Sequence, residues 1–305
     1  MKSEIWVIGG GKGGTGKSFV TCSMGMNLAQ QGKKVTLIDA DLGGANLHSF
    51  LRIKKPKHSL TDFFEKKTPL SDIIIDTEIP NLRFVTGDIH SLTTTGIKYT
   101  QKLKLYRHIK NISGDYVLID LGAGSGHNTI DTFLMADKMV VVTLPEITAI
   151  ENLYLFVKKV LFRKMNRLLG EHGQRNAAKK AWANRKVNQI KSIKELVAHI
   201  KNISPEISAI MDEALHNFKI HVVLNQVKNN EHLDTGSAIK SVLTKYFGID
   251  ACFVGFVQYN EFFWKSVTRA NTQVLSPAAT SKEIRNIVLN MMEGKQVKLP
   301  DLSNG

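Results

Sequence analysis

The chain has 305 residues, of which 43% are hydrophobic and 22% are charged, and these ordinary values exclude a mainly disordered, collagen-like or coiled-coil protein. No apolar run approaches the roughly 18–20 residues that a membrane-spanning helix needs. The unusual value is the charge: 41 Lys and Arg against 27 Asp and Glu leave a formal net charge of +14, which favours anionic partners.

The predicted elements begin almost at the first residue, without the layout of a signal peptide, which predicts a cytoplasmic protein. A strand at Glu4–Ile8 leads into a glycine-rich loop, a helix over Phe19–Gln31 and a second strand at Lys34–Asp39. Further apolar runs of strand length are Leu82–Thr86, Tyr116–Asp120, Met139–Thr143, Ile220–Leu224 and Ala251–Val254. Continuous apolar strands separated by helices predict an α/β fold, with a mainly parallel central sheet flanked by helices.

The interval between the predicted strands that end at 143 and begin at 220 is longer than one crossover helix needs. Apolar residues follow helical spacing within it, at Val187, Ile190, Ile193, Leu196, Val197 and Ile200. We therefore predict a helical insertion at about 160–217. No repeat, low-complexity tract or linker marks a second domain, so residues 1–305 are predicted to form one domain that includes this insertion.

The glycine-rich loop matches a phosphate-binding pattern. Residues 11–18 read Gly-Lys-Gly-Gly-Thr-Gly-Lys-Ser, which satisfies G-x-x-x-x-G-K-[ST] between a strand and a helix. Glycines let backbone N–H groups surround a phosphate, and the helix N-terminus adds partial positive charge. Lys17 should reach the β- and γ-phosphates, and the Ser18 hydroxyl should ligate Mg²⁺. The expected nucleotide-binding residues here are Gly11, Gly13, Gly14, Thr15, Gly16, Lys17, Ser18 and Phe19.

Aspartates follow two of the predicted strands. Asp39 and Asp41 close the second strand, and Asp120 ends the strand Tyr116–Asp120. Because the carboxyl ends of parallel strands face the ligand crevice, these carboxylates are placed to hold a metal ion's waters and an attacking water. Four hydrophobic residues before Asp120 match a Walker B strand, whereas an isolated Asp-x-Asp pattern also occurs in turns and helix caps.

The loop carries a second lysine, Lys12, and the run Lys-Gly-Gly-Thr-Gly-Lys-Ser at 12–18 resembles the deviant Walker A group of P-loop ATPases. MinD, ParA and the nitrogenase iron protein belong to that group. The resemblance implies ATP or ADP with Mg²⁺ as ligands and a homodimer that forms with ATP. It also implies that Lys12 reaches the partner's nucleotide and that Asp41 orients the attacking water. The expected catalytic residues are therefore Lys12, Lys17 and Asp41.

The same resemblance implies roles for further residues around the metal, the phosphates and the base. Around the metal they are Ser18, Asp39 and Asp120. The second switch, which approaches the γ-phosphate, contains Gly122. Near the adenine base they are Asn225, at the end of a strand, and Gln258 and Tyr259, on a later loop.

Three longer motifs, Asp39–Leu47, Asp120–Gly124 and Pro145-Glu146-x-x-x-Ile150-Glu151-Asn152, most resemble FlhG/FleN, MinD-like ATPases that control flagellar number and placement. This resemblance implies a flagellar regulator or assembly protein as partner and allows a peripheral location at the inner face of the membrane. A ParA-like partition ATPase that binds DNA non-specifically and a non-hydrolysing ATP-dependent interaction module remain alternatives. A cluster-carrying relative would need thiolates beside the dimer axis, and Cys22 and Cys252 do not fit that need.

Most of the excess charge lies in residues 158–201, which hold thirteen Lys and Arg against two Glu. Helices this basic can follow the phosphates of DNA, lie on an anionic membrane surface or bind an acidic protein. The alternative interpretation of the pattern is a solvated helical face without any partner. The sequence therefore predicts an anionic partner of one of these three kinds without choosing among them.

Overall fold

A computed structural model of the chain describes residues 2–41, 44, 46–53, 56–87, 99–261 and 278–297. At its centre is one eight-stranded sheet in the order β3-β4-β2-β5-β1-β6-β7-β8. Only the short edge strand β3 runs antiparallel to its neighbour, so the predicted mainly parallel sheet is confirmed. The strands are β1 (Glu4–Gly9), β2 (Val35–Asp39), β3 (Ile75–Asp76), β4 (Leu82–Val85), β5 (Tyr116–Asp120), β6 (Lys138–Thr143), β7 (Lys219–Val227) and β8 (Asp250–Gln258).

Helices cover both faces of the sheet. One face carries α3, α4, α5, α6 and α10, and the other carries α1, α2 and α11. Alternation along a strand divides the core: in β1, Ile5 and Val7 face the first set of helices, while Trp6 and Ile8 face the second. The α-helices are α1 (Lys17–Gln30), α2 (Leu47–Phe50), α3 (Leu60–Glu65), α4 (Tyr99–Ile109), α5 (His127–Phe133), α6 (Ile147–Glu171), α7 (Ala177–Ala183), α8 (Ile193–Lys201), α9 (Pro205–His216), α10 (Glu231–Val242) and α11 (Ala278–Glu293).

Two strands extend further than their apolar runs predicted. Asn225 was expected to end its strand but lies within β7, and Gln258 was expected on a loop but is the last residue of β8. Each strand also begins one residue before its apolar run, at Lys219 and at Asp250. Their ends continue because both strands pair with a neighbour beyond the apolar residues, up to Val227 opposite Gln258.

The predicted insertion is helical, but its start differs from the prediction. α6 is one helix of 25 residues that begins at Ile147, so no boundary occurs near 160. The second half of α6 packs with α7, α8 and α9, and together they form what we call the helical lobe. This lobe has its own buried core, which consists of Met165, Leu169, Ala178, Ala181, Ile190, Leu196, Val197, Ile200, Ile207 and Met211.

The apolar spacing predicted a helix from Val187 onward, and this prediction was wrong for the first residues of the run. Residues 184–189 form turns, α8 begins only at Ile193, and Val187 is 83% exposed. The helix begins where Ser192 caps it, with Oγ accepting the backbone N–H of Glu195 at 3.1 Å. Gln189, just before this cap, has a φ of +53°, which a helix cannot contain.

The C-terminal helix α11 packs against the sheet. Its apolar residues Ile284, Ile287, Val288 and Met291 are at most 2% exposed and belong to the same core as α1. Gly255 in β8 allows the close approach, because a Cβ there would lie 2.6 Å from Cγ1 of Ile287. Within the described ranges, no helix combines the length and apolar character needed to cross a bilayer.

His221 is a buried titratable residue in β7. It is 5% exposed, and its Nδ1 lies 3.2 Å from the carbonyl oxygen of Met139. Burial lowers the pKa of His221 to about 4, although the Met139 carbonyl and Asp250 raise it; the charges of Lys138 and Lys219 lower it further. The folded chain therefore keeps this imidazole neutral well below the ordinary histidine pKa.

Acid is expected to destabilise the protein through His221. Between about pH 6.5 and 4 the unfolded chain binds a proton at His221 that the folded chain does not bind. The free energy of unfolding therefore decreases as the pH is lowered through this range, by up to about 3 kcal/mol. Urea unfolding above and below this window measures the loss in the wild type and in His221→Gln. Over this range, the free energy of unfolding of His221→Gln should decrease by about 3 kcal/mol less than that of the wild type. Equal decreases in the two proteins would contradict the assignment of this effect to His221.

Candidate nucleotide-binding site

The glycine-rich loop lies between β1 and α1, at the edge where the parallel strands end. Gly16, the N-cap residue of α1, has a φ of +86°, and a Cβ there would lie 2.2 Å from Nδ2 of Asn225. A Cβ at Gly11 would lie 2.3 Å from the carbonyl oxygen of Asn152. Both positions therefore require glycine. The first turn of α1 contains no acidic residue, so this helix end presents uncancelled positive potential to the loop.

Lys17 lies inside the loop. It is 6% exposed, and its Nζ donates to the carbonyl oxygen of Lys12 at 3.1 Å. Burial lowers the pKa of Lys17, whereas the negative charges of Asp120 and Asp41 raise it. A buried cation held by one backbone carbonyl can bind phosphate oxygens strongly, because little water competes for it.

Asn225 supports the loop from β7. Its Nδ2 donates to the carbonyl oxygen of Thr15 at 2.9 Å, and the residue is 1% exposed. The neighbouring hydroxyl, Oγ1 of Thr15, is buried and has no hydrogen-bond partner among the described residues. The adenine contact of Asn225 stays a prediction, since in this structure its amide nitrogen holds the loop.

Replacing Asn225 with alanine should weaken both the fold and the site. The buried Thr15 carbonyl loses its partner, which is expected to lower the free energy of unfolding by about 1–3 kcal/mol and to lower ATP affinity. Asn290→Ala is the matched control, because Nδ2 of Asn290 donates to the carbonyl of Val254 at the same 2.9 Å, away from the loop. Chemical denaturation and nucleotide titration of both variants check this. Equal ATP affinities of the two variants would contradict a role for Asn225 in the loop.

Asp39 ends β2 and holds the chain that follows it. Its Oδ1 accepts the backbone N–H of Asp41, and its Oδ2 accepts that of Leu47, each at 3.1 Å. Burial raises the pKa of Asp39 to about 6, although these hydrogen bonds lower it. Both carboxylate oxygens therefore hold backbone that follows β2, at Asp41 and at Leu47, and the outer-shell metal role stays a prediction. Leu42, Gly43 and Ala45 of the same motif lie outside the described residues.

Asp120 ends β5 directly opposite Asp39 in the parallel register. It is 1% exposed, accepts the Thr21 hydroxyl at 3.2 Å and is hydrogen-bonded to the Ser18 side chain. Burial raises the pKa of Asp120 to about 7, the Ser18 hydrogen bond lowers it, and the charge of Asp39 raises it. Ser18, Asp39 and Asp120 are thus brought to one place, as the sequence predicted, but their role as metal ligands stays a prediction.

Asp41 lies against the second switch. A Cβ at Gly122 would come within 2.7 Å of Cγ of Asp41, so only glycine allows this approach. The second switch also touches the loop, because the N–H of Gly124 donates to the carbonyl oxygen of Gly11 at 3.2 Å. The second switch therefore contacts both Asp41 and the loop, and the Asp41 carboxylate lies beside Gly122 and near Lys17.

Lys12 lies at the rim of the loop. Its Nζ donates to Oε2 of Glu146 at 3.1 Å and to Oγ1 of Thr148 at 2.9 Å, and its side chain is 33% exposed. Glu146 is the N-cap residue of α6. The two lysines of the loop thus differ: Lys17 faces inward, whereas Lys12 is held at the surface by the start of α6.

The remaining predicted residues lie at the same edge or in the core. Phe19 packs its side chain into the core at 5% exposure, so only its backbone can contribute to a nucleotide site. The N–H of Tyr259 donates to the carbonyl of Val227 at 2.9 Å, and that of Gln258 donates to Oε2 of Glu283 at 3.0 Å. Gln258 and Tyr259 therefore follow β8 at the edge that carries the loop, and their contact with a base stays a prediction.

Sequence reasoning missed three residues that position the site. Thr21 bonds Asp120 from one turn beyond Lys17, and its place four residues after Lys17 on the predicted helix could have indicated it. Glu146 and Thr148 hold Lys12 across more than 130 residues of sequence. No local pattern predicts such a contact, because it depends on where α6 begins relative to the loop.

The residues present fit a nucleoside triphosphate and Mg²⁺. The loop offers a buried hydroxyl without a partner at Thr15, an inward cation at Lys17 and an electropositive helix end. Buried carboxylates with raised pKa values at Asp39 and Asp120 are what a divalent cation would stabilise in their charged form. The Ser18 hydroxyl would complete an oxygen-only set of ligands, which would suit Mg²⁺ rather than a softer metal.

The sheet is mainly parallel, and the glycine-rich loop follows its central strand β1. In the order β2-β5-β1, the strands β2 and β5 each end in a buried aspartate. These features define a P-loop NTPase fold. A family model described as "ParA: NUBPL iron-transfer P-loop NTPase" matches residues 1–169. The chain therefore belongs to the ParA family of P-loop NTPases, and the resemblance to the MinD/ParA group is confirmed. Iron transfer is no part of our proposal, since both cysteines, Cys22 and Cys252, are buried.

Curated relatives include flagellar proteins. The flagellum site-determining protein YlxH of Helicobacter pylori is 33% identical over 158 residues, which are 51% of this chain and 53% of YlxH. The antiactivator FleN of Pseudomonas aeruginosa is 29% identical over 157 residues, which are 51% of this chain and 55% of FleN. The chain thus spans about half the length of the curated relatives it matches.

Solved structures share the fold over nearly the whole chain. The MinC:MinD cell division protein complex of Aquifex aeolicus has a TM-score of 0.62 at 22% identity and covers 98% of this chain and 99% of that chain. MinD of Pyrococcus horikoshii, complexed with Mg-ADP, has a TM-score of 0.59 at 17% identity and covers 97% and 100%. At these identities the likeness shows the fold alone.

Proposed function

We propose that this chain is an ATPase of the MinD/ParA type, which dimerises with ATP and returns to the monomer on hydrolysis. The observation that carries the proposal is the placement of the two loop lysines. Lys17 is enclosed by its own loop, while Lys12 lies at the exposed rim, where a second copy could meet it. A cation from the partner would neutralise charge that develops on the transferred phosphoryl group.

Each residue of the site has a distinct task in this proposal. The N-terminus of α1 and the loop N–H groups bind the phosphates, and Lys17 contacts the β- and γ-phosphates. Ser18, Asp39 and Asp120 would hold Mg²⁺, which neutralises phosphate charge when it is bound. Asp41 accepts a hydrogen bond from water and orients it, and its contact with Gly122 joins its position to that of the second switch.

Dimerisation requires Lys12 to leave its present partners. Its hydrogen bonds to Glu146 and Thr148 lie at a partly exposed rim, so replacing them costs little. The N–H of Gly124, in the second switch, donates to the carbonyl oxygen of Gly11 in the phosphate loop. Because of this contact, loss of the γ-phosphate from the loop would alter the surface that the second switch forms. The output of the protein is this change of surface, and turnover should be slow until a partner stimulates it.

A role in flagellar number or placement is the leading biological function that we propose. It is supported by the likeness to YlxH and FleN, whose names describe flagellar site determination and antiactivation. A flagellar regulator or assembly protein would then be the partner, and the protein would act in the cytoplasm or peripherally at the inner face of the membrane. A partition ATPase that binds DNA non-specifically is the second candidate, and the excess of basic residues at 158–201 is compatible with it.

The dependence of hydrolysis on protein concentration tests the proposal. If each site needs Lys12 of a second copy, the rate per chain rises with concentration until dimers predominate, and Lys12→Ala abolishes this rise. Lys110→Ala is a suitable control, because Lys110 is an exposed lysine at the end of α4. A rate per chain that is constant over the whole range would contradict a shared site and favour a monomeric enzyme.

A further inference from the structure

The helical lobe has a strongly basic exposed surface. Four of its five carboxylates are already engaged within the lobe: Glu171 pairs with Arg167, Glu206 with His172, and Asp212 with Lys201, while Glu195 accepts the backbone N–H of Lys191. The fifth, Glu213, is exposed on α9. Arg163 pairs with Asp131 of α5, whereas the cations of residues 175–194 form no ion pair with any residue that the structure describes. What we call the basic surface consists of the exposed residues Arg175, Lys179, Lys180, Arg185, Lys186, Lys191 and Lys194.

Two cations of the helical lobe lie close to the same aromatic ring. Nζ of Lys158 lies 4.4 Å from the ring centroid of Trp182, and the guanidinium carbon of Arg185 lies 5.4 Å from it. Burial, and secondarily the charge of Arg185, lowers the pKa of Lys158. This arrangement holds like charges together without a carboxylate between them, so an external anion would relieve their repulsion.

An exposed apolar side chain lies next to residues of the basic surface in the sequence. Val187 is 83% exposed and follows Arg185 and Lys186 in the turns between α7 and α8. The phosphates and sugars of a DNA duplex offer such a side chain no apolar environment unless it enters a groove. A bilayer interface accepts apolar side chains below its headgroups while lysines and arginines bind the phosphates above. Val187 therefore favours a membrane over DNA.

The basic surface also lies away from the nucleotide loop. α6 begins just after β6 ends, at the nucleotide edge, and its 25 residues extend roughly 37 Å. β6 has six residues and spans only about 20 Å, so the second half of α6 passes the opposite edge of the sheet. Lys194 packs there against Gly248, two residues before β8 begins. A dimer formed at the nucleotide edge would leave the basic surface free.

We propose that the basic surface docks on an anionic lipid bilayer, with its lysines and arginines at the headgroup phosphates and Val187 below them. This goes beyond the nucleotide switch and requires neither ATP nor a dimer. The binding should weaken with salt, because surface charges contribute most of it. If the switch also operates, two basic surfaces per dimer would strengthen the attachment.

Vesicle sedimentation of the full chain without nucleotide tests the proposal. The vesicles are phosphatidylcholine alone or with one-third phosphatidylglycerol, and binding is expected only to the second kind. Each lysine contributes about a fivefold factor, so Lys179→Glu, Lys180→Glu and Lys186→Glu together should lower the partition coefficient by about a hundredfold or more. Val187→Ser should lower it by about fivefold, through lost apolar burial.

The control is a triple variant with the same change of charge elsewhere: Arg107→Glu, Lys110→Glu and Lys282→Glu, all at exposed positions outside the lobe. It should bind within about threefold of the wild type. The proposal is overturned if both triple variants bind alike. It is equally overturned if the wild type binds a DNA duplex but not the anionic vesicles. Because no nucleotide is present, neither result depends on the ATP switch.

Discussion

Replacing Lys17 with alanine is expected to weaken ATP binding by about a hundredfold or more and to abolish hydrolysis. The side chain is a buried cation whose charge Asp120 and Asp41 favour, and it is the inward cation of the loop described above. Losing a charge-assisted contact to phosphate oxygens in such a site costs about 3 kcal/mol, which corresponds to that factor. Titration with a fluorescent ATP analogue measures the affinity.

Lys33→Ala provides the control for this prediction. Lys33 follows the other end of α1, away from the loop, so its removal should leave ATP affinity within about twofold. A thermal melt of the Lys17 variant without nucleotide separates lost binding from lost folding. If Lys17→Ala bound ATP as tightly as Lys33→Ala, the loop would not hold the phosphates as we propose.

Replacing Asp41 with alanine should lower the rate of hydrolysis by about a hundredfold or more and leave ATP affinity nearly unchanged. Asp41 lies beside Gly122 of the second switch and does not belong to the loop that binds the phosphates. An orienting carboxylate contributes to the reaction of water and little to binding, so its loss affects turnover. Phosphate release and nucleotide titration measure the two quantities. The ATP-bound dimer of this variant should therefore persist.

Asp76→Ala is the control for Asp41, since Asp76 is an exposed carboxylate on the edge strand β3. Its rate should equal that of the wild type. An Asp41 variant that hydrolyses ATP at the wild-type rate would remove Asp41 from the reaction. A wild type without measurable turnover, but with an ATP-dependent dimer, would favour the non-hydrolysing interaction module.

The sheet and the phosphate loop could be predicted because their signals are local. A strand buried on both faces needs a continuous apolar run, and β2 and β5 each end in an aspartate exactly where that run stops. Positions where only glycine fits, such as Gly16, belong to the G-x-x-x-x-G-K-[ST] motif, so the motif itself indicates them. The short strand β3 has no such signal, because two edge residues carry too little pattern.

The error at Val187 and the unpredicted partners of Lys12 have physical reasons. Apolar spacing continued from Val187 into α8, but the helix begins only at the Ser192 cap, and the spacing alone says nothing about caps. The partners of Lys12 depend on where the N-terminus of α6 lies in space. The partners of Lys12 follow from tertiary structure, whereas the Ser192 cap is local to α8.

The most direct test of the account is the molar mass of the protein in each nucleotide state, measured by light scattering after size-exclusion chromatography. The account predicts a monomer without nucleotide and with ADP and Mg²⁺, and a doubled mass with ATP and Mg²⁺. Asp41→Ala should keep the doubled mass for longer than the wild type, and Lys12→Ala should remain a monomer. A mass that never responds to ATP, or a Lys12→Ala dimer as stable as the wild type, would contradict the shared ATP site.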